Sequence, residues 1–219
     1  MITIGVTGGV GSGKSEILRY LKSQYKCRIL MSDNAAKDLE LPGGVLYEPL
    51  IGLLEQYAPS GEHEPLVLEC GEINKTEMAR RIFGNKELLD KVNKLVHPAV
   101  NRYILDEIVR EAENGEKEFF ILESALLIEN GYDRILDSMW YIYCEESARA
   151  QRLRGSRGYS DEKIRSIIKR QVSDEVFRSH CDTVIDNTGD FYAPDGAAVQ
   201  VDAAIARLRA GRRALQEPR

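Results

Sequence analysis

A chain of 219 residues with an apolar fraction of 43% has the length for one well-buried α/β domain carrying an inserted lobe. Its formal net charge of −5 argues against general affinity for nucleic acid or an anionic membrane surface. The longest apolar runs, Phe119–Leu122 and Met139–Ile142, are far too short to span a bilayer, and no signal peptide is expected ahead of the first apolar segment.

That segment, Ile2–Val6, is short and β-branched and reads as a buried strand. Gly8-Gly9-Val10-Gly11-Ser12-Gly13-Lys14-Ser15 follows and fits G-x-x-x-x-G-K-[ST], a phosphate-binding loop. Glu16–Leu21 is apolar at helical spacing, so strand, glycine loop and helix stand in the order the motif needs. The glycines Gly9, Gly11 and Gly13 let backbone N–H groups, that of Ser12 among them, close around phosphate oxygens, and the helix points its positive end at the anion. Lys14 is placed to bridge terminal phosphates, and the Ser15 hydroxyl to hold Mg²⁺. A nucleoside triphosphate ligand follows.

Cys27–Met31 reads as a second strand, and Asn34–Leu41 as a helix capped by Ser32 or Asp33. After Pro42-Gly43-Gly44 no convincing strand appears until about Gly115. The intervening amphipathic segments are Leu46–Tyr57, Lys75–Phe83 and Lys86–Glu113, the last with an expected break near His97-Pro98. An exposed turn region is expected over 59–65. This helical block is most economically an insertion into a nucleotide-binding core. Strands are then expected at 119–123, 138–144 and 183–186, and helices at 145–156, from Ser160 to about Ser173, and at 195–213. Alternation of this kind indicates a mainly parallel sheet of five strands with flanking helices. The Arg-rich end, 207–219, reads as a solvated face with a frayed tail. Cys27, Cys70, Cys144 and Cys181 form no C-x-x-C pair, and His63, His97 and His180 are scattered. Buried free thiols in a cytoplasmic protein are expected, not disulfides or a zinc site.

Beyond the loop, several residues could carry chemistry. Asp33 follows the second strand, at the sheet edge where open α/β folds bind ligands. There it could accept a proton from an attacking hydroxyl, help place Mg²⁺, or cap a helix. Glu123 ends a strand of four apolar residues, as does an acid that reaches Mg²⁺ in phosphate-loop proteins; an ordinary strand-end carboxylate would look the same. Glu129 could belong to an acceptor site or to the surface. From Arg149 to Arg170 the chain carries Arg149, Arg152, Arg154, Arg157, Lys163, Arg165, Lys169 and Arg170 against Asp161 and Glu162. Arginines on a mobile segment can close over phosphates, and Gly155 and Gly158 would loosen such a lid. Arg152 and Arg157 are the candidates for it; Arg165, Lys169 and Arg170 suit a solvated helix face. Asn74-Lys75-Thr76-Glu77 is a chance likeness to a guanine-reading N-K-x-D, since it follows no strand and has Glu for Asp.

In order along the chain, these residues resemble the dephospho-coenzyme A kinase family. Thr7–Ser15 is similar to its T-G-G-[IV]-G-S-G-K-S opening, and Ser32-Asp33 with Ala35-Ala36-Lys37 to its D-A-D-x-[IL]-[AS]-[RH] segment. Leu95–Pro98 matches its [LI]-x-H-P, Leu126–Gly131 its P-L-L-[FV]-E stretch, Gln171 its lid-closing Gln, and Val184–Gly189 its V-I-x-N-x-G. The resemblance implies a P-loop kinase fold, with core 1–34, 116–145 and 180–219, helical substrate lobe 35–115 and lid 146–179. It implies transfer of the γ-phosphoryl of ATP, with Mg²⁺, to the ribose 3′-hydroxyl of dephospho-coenzyme A. Asp33 would be the base, Lys14 and the lid arginines would stabilise charge, and Asn187 would lie near adenine. His97, Leu126 and Glu129 would serve the acceptor. No nucleic acid or membrane partner is expected, and the chain is expected as a monomer or weak oligomer.

Met31 stands where the family usually has the first Asp of D-A-D, Glu123-Ser124 where it has a more apolar pair, and Glu16 where it has Thr. The substitution at Glu16 puts a carboxylate near the phosphates, and Glu123 is the acid available to replace the one missing at position 31. Two other readings remain open at this stage: a kinase for another small hydroxyl acceptor, such as a nucleoside, nucleotide or sugar acid, and a degenerate nucleotide-binding accessory module.

Overall fold

The computed structural model describes residues 1–58 and 63–216, with side chains to 214. The first four positions of the turn expected over 59–65, and positions 217–219 of the expected tail, lie outside the described residues. In chain order the elements are β1 (Ile2–Thr7), α1 (Lys14–Gln24), β2 (Cys27–Met31), α2 (Ser32–Leu39), α3 (Tyr47–Glu55), α4 (Lys75–Ile82) and α5 (Lys86–Asn114). They continue with β3 (Phe119–Glu123), a 3₁₀ turn (Tyr132–Arg134), β4 (Ser138–Tyr143), α6 (Glu146–Arg157), α7 (Asp161–Lys169), α8 (Asp174–His180), β5 (Thr183–Asp186) and α9 (Ala197–Gln216). Two compact units result: Met1–Ile29 with Glu111–Arg219, and Leu30–Arg110.

The first unit is built on the sheet. Strand order is β2-β3-β1-β4-β5, and β1 pairs in parallel with both β3 and β4, and β4 with β5. All of β1 and β3 is buried, which suits parallel strands covered by helices on both faces. Ile4, Val6, Ile17, Leu21, Phe119, Ile121, Trp140, Ile142, Val201 and Ile205 form its main core. Asp137 fixes the start of β4 beside β1: its carboxylate accepts from Thr3 N (2.7 Å) and Thr3 Oγ1 (2.9 Å). Asp202 of α9 accepts from the hydroxyls of Tyr20 (2.9 Å) and Tyr25 (2.6 Å), tying the closing helix to α1 and to the residue that follows it.

The chain leaves β1 to form β2 and β3 on one side and then β4 and β5 on the other. This reversal opens a crevice at the carboxyl end of β1, where ligands of open α/β sheets bind. The phosphate loop occupies that position because it follows β1 directly.

The second unit is helical. Leu46, Leu50, Leu54, Leu66, Ile73, Leu88 and Val92 make its core. Its strongest polar feature is Glu77, 2% exposed, whose carboxylate accepts from Arg80 Nε and Arg81 Nε, both at 2.8 Å. Arg81 also donates to the Leu54 carbonyl at 2.9 Å, joining α4 to α3.

Four local expectations are corrected. Ser32 and Asp33 do not cap α2 but form its first turn; the cap position belongs to Met31, which makes no side-chain cap bond. The break near Pro98 is absent and α5 runs through it. Proline removes one backbone donor at a cost of about 3 kcal/mol, which burial of Leu88, Val92, Val100 and Ile104 along the same helix offsets. The helix expected from Ser160 to about Ser173 ends at Lys169, and Ser173 instead caps a separate helix, α8, by accepting from Val176 N. Finally, the four cysteines are free, but only Cys144 is buried; Cys70 is exposed.

Candidate active site

Three glycines give the phosphate loop its shape. Gly8, Gly11 and Gly13 have φ of +146°, +84° and +88°, backbone that L side chains rarely adopt. A Cβ on Gly8 would stand 2.6 Å from the Ile142 carbonyl oxygen, and one on Gly13 would stand 2.1 Å from Asn187 Nδ2. The loop is therefore pressed against the ends of β4 and β5, and the Ser12 N–H, expected to face phosphate, instead donates to the Gly9 carbonyl at 3.1 Å. Lys14 begins α1 and donates from Nζ to the Gly8 carbonyl at 2.8 Å; Glu123 Oε1, at the end of β3, lies 3.7 Å from the same nitrogen. Ser15 is exposed in the first turn of α1, beside Lys14.

Asn187 follows β5 and is 1% exposed. Its Nδ2 donates to the Ser12 carbonyl (3.0 Å) and toward Glu16 Oε2 (3.4 Å). Two acceptors around one nitrogen fix the amide's orientation. Arg152 of α6 braces the same corner: Nη1 donates to Ser12 O (3.3 Å) and Cys144 Sγ (3.5 Å), and Nη2 to Asn187 O (2.7 Å). Burial pushes the Cys144 thiol up against the pull of the Arg152 guanidinium, so it stays a neutral acceptor at pH 7. Arg149, one turn earlier, donates from Nε to the Val10 carbonyl (3.0 Å) and from Nη2 to Gln171 Oε1. Ser12 Oγ and Asn187 Oδ1 are buried without a hydrogen-bond partner.

The arrangement is an anion site. It combines a left-handed glycine loop, a helix amino end, and cations from α1 and α6, all at the carboxyl edge of a parallel sheet. A profile of the dephospho-CoA kinase family matches residues 2–192, a span that contains every one of these groups.

The chain belongs to the dephospho-CoA kinase family. A relative from Corynebacterium diphtheriae named dephospho-CoA kinase is 33% identical over 189 residues, covering 86% of this chain and 90% of its own. One of the same name from Corynebacterium efficiens is 31% identical over 211 residues, covering 95% and 98%. The fold is shared with a solved dephospho-CoA kinase from Campylobacter jejuni, at a TM-score of 0.68 and 21% identity over 96% of this chain and 98% of that one. ATP-dependent phosphorylation of dephospho-CoA is the activity of this family, and it is favoured over the readings as a kinase of another acceptor or an accessory module.

Among residues singled out from sequence, the sheet unit brings together the loop from Gly9 to Glu16 with Glu123, Arg152 and Asn187. Leu126 and Glu129 lie on the turn after β3, where Leu126 is 40% exposed and Leu127 is fully buried. Arg157 stands apart from the loop, at the end of α6, with its guanidinium over the Tyr159 ring (5.9 Å). Asp33 and His97 belong to the helical unit. Asp33 is exposed in the first turn of α2 and lines a cavity of about 820 Å³ with Lys37, Lys75, Met78, Ile82 and Phe83. His97 is half-buried in α5. The loop contacts of Arg149 were not legible beforehand; the signal available was its i, i+3 spacing to Arg152, which puts both on one helix face.

Among the described residues no helix is long and apolar enough to cross a membrane.

Proposed function

We propose that the chain transfers the γ-phosphoryl group of ATP to the ribose 3′-hydroxyl of dephospho-coenzyme A, giving coenzyme A and ADP. The observation that carries this reading is the family match from residue 2 to 192 over a fully formed phosphate loop. In this account the loop from Gly9 to Ser15 grips the triphosphate, Lys14 bridges its terminal phosphates, and Asn187 lies beside the adenine. ATP and Mg²⁺ are the family's cofactors. The Ser15 hydroxyl and the Glu123 carboxylate are hard oxygen donors that fit Mg²⁺, and Lys14 beside Glu123 would face the same phosphates. Among the described residues no group of three or more His, Cys, Asp or Glu is placed to hold a metal ion.

Asp33 is the base that takes the proton of the attacking hydroxyl, in a reaction where positioning and charge stabilisation supply most of the rate. The helical lobe, 35–115, holds the acceptor, and His97, Leu126 and Glu129 are its proposed acceptor-binding residues. Segment 146–179 closes as a lid, carrying Arg152 and Arg157. We place the protein in the cytoplasm, as a monomer or weak oligomer acting on a small molecule and on neither nucleic acid nor membrane.

An acceptor screen tests the proposal. ADP release from ATP should rise sharply with dephospho-coenzyme A and stay at background with nucleosides, shikimate or gluconate. Release with one of those acceptors instead, or none with any acceptor despite ATP binding, would contradict it.

A further inference from the structure

The α6 arginines do unlike work. Arg152 has both terminal nitrogens committed to Ser12 O, Asn187 O and Cys144 Sγ, so it shapes the loop. Arg157 is exposed at the end of the helix beside Tyr159. Arg154 is paired with Asp161, and Arg149 is the one of the four that touches Gly9 and Val10. A Cβ built on Gly9 would meet Arg149 Nη2 at 2.5 Å and Gln171 Oε1 at 2.8 Å, so the guanidinium rests in the space left by the absent side chain of Gly9. Its hydrogen-bond partners there are the neutral Val10 carbonyl and the neutral Gln171 amide. A full positive charge is thus held over a phosphate loop by neutral acceptors, in a planar fork suited to two oxygens of one phosphate.

We propose that Arg149, aimed by Gln171, is the α6 arginine that contacts the terminal phosphates of the nucleotide, and that Arg152 is a positioning residue for the loop and Asn187. This rests on the reading of the loop as an ATP site. It alters which α6 side chain meets the transferred group and gives Gln171 a definite task. Gln171 keeps the guanidinium pointed along Gly9 before the nucleotide arrives, so little side-chain freedom is lost on binding.

Equilibrium binding of ATP, ADP and AMP, measured by calorimetry without acceptor, tests the assignment. Arg149→Ala should weaken ATP binding roughly tenfold or more, as expected for losing a charge-assisted contact, and leave AMP within about twofold of the parent. Arg149→Lys should recover only part of the loss, because an ammonium lacks the fork. Gln171→Ala should show the same ATP-selective pattern at smaller size. Arg152→Ala should weaken all the nucleotides together. The isosteric Arg149→Gln serves if the alanine variant fails to fold. Loss of ATP and AMP affinity in equal measure, or unchanged ATP affinity in both Arg149→Ala and Arg149→Gln, would overturn the proposal. These outcomes are separable from failure of the kinase reading, which shows as absent acceptor-dependent turnover in the parent protein while nucleotide binding persists.

Discussion

Replacing Gly13 by Ala probes the join between the phosphate loop and β5. The residue sits at φ +88°, where an L side chain costs about 1–2 kcal/mol. The new Cβ would stand 2.1 Å from Asn187 Nδ2, so the amide must leave. With Asn187 only 1% exposed, its space to move is small. Its 3.0 Å bond to the Ser12 carbonyl breaks, and such a bond contributes about 0.5–1.5 kcal/mol. The sum is roughly 1.5–3.5 kcal/mol, which for a chain of this size lowers the melting temperature by about 3–14 °C. Trp140, the one tryptophan, is fully buried on β4 opposite Val6 of β1, so its fluorescence follows the unfolding of this unit. Gly155→Ala is the control. It lies within α6 with nothing within 4 Å of an added Cβ, and should be neutral or stabilising by roughly 0.5–1 kcal/mol. ATP affinity should fall with Gly13→Ala as the loop's amides are displaced. If Gly13→Ala melted within about 1 °C of the parent and bound ATP unchanged, the stated packing of loop against Asn187 would be wrong.

Lys14→Ala should reduce turnover by at least about a hundredfold while circular dichroism stays close to the parent; its ammonium lies 2.8 Å from the Gly8 carbonyl and 3.7 Å from Glu123 Oε1. Glu123→Gln tests whether this acid reaches the metal: the Mg²⁺ concentration for half-maximal turnover should rise roughly tenfold, and an unchanged Mg²⁺ profile with unchanged turnover removes Glu123 from that role. In the helical unit, hydrogen bonds from Arg80 and Arg81 hold the Glu77 carboxyl down to about 2, against an ordinary value of 4.5. The stabilisation from the ionised pair is complete above about pH 4.5 and is lost as pH falls toward 2. Glu77→Gln should flatten the dependence of melting on pH through that window, and lower the melting temperature at pH 7 by leaving Arg81 buried without its carboxylate. A melting profile with the parent's slope between those pH values would show that the pair does not drive it.

What could be read beforehand follows from how locally each feature is determined. The strand, loop and helix from Ile2 to Leu21 were legible because the glycines, the Lys-Ser pair and the switch in hydrophobic period all agree within one short stretch. The path of α5 through Pro98 was not, because local propensity reports the lost hydrogen bond and says nothing of Leu88, Val92, Val100 and Ile104, which anchor both halves. The end of α7 at Lys169 was missed for a related reason: Ser173 is as good a helix start as Ser160, and only the bond it accepts from Val176 N distinguishes the two helices. In the site, Lys14 could be placed from the glycine-loop motif, Glu123 from its position at the end of an apolar strand, and Asn187 through its likeness to the family's late V-I-x-N-x-G. Arg149 could not, because its bond to Val10 spans 139 positions of sequence and depends on how α6 packs over the loop.

Asp33 carries the central proposal, that its carboxylate is the base for the alcohol that attacks the triphosphate. The decisive measurement is the single-turnover rate of Asp33→Asn, saturated with ATP, Mg²⁺ and dephospho-coenzyme A, beside the binding of each substrate. The predicted result is a rate lowered by roughly a hundredfold or more, with both substrates bound about as in the parent. A rate within about threefold of the parent would contradict the claim and leave proton removal to another group.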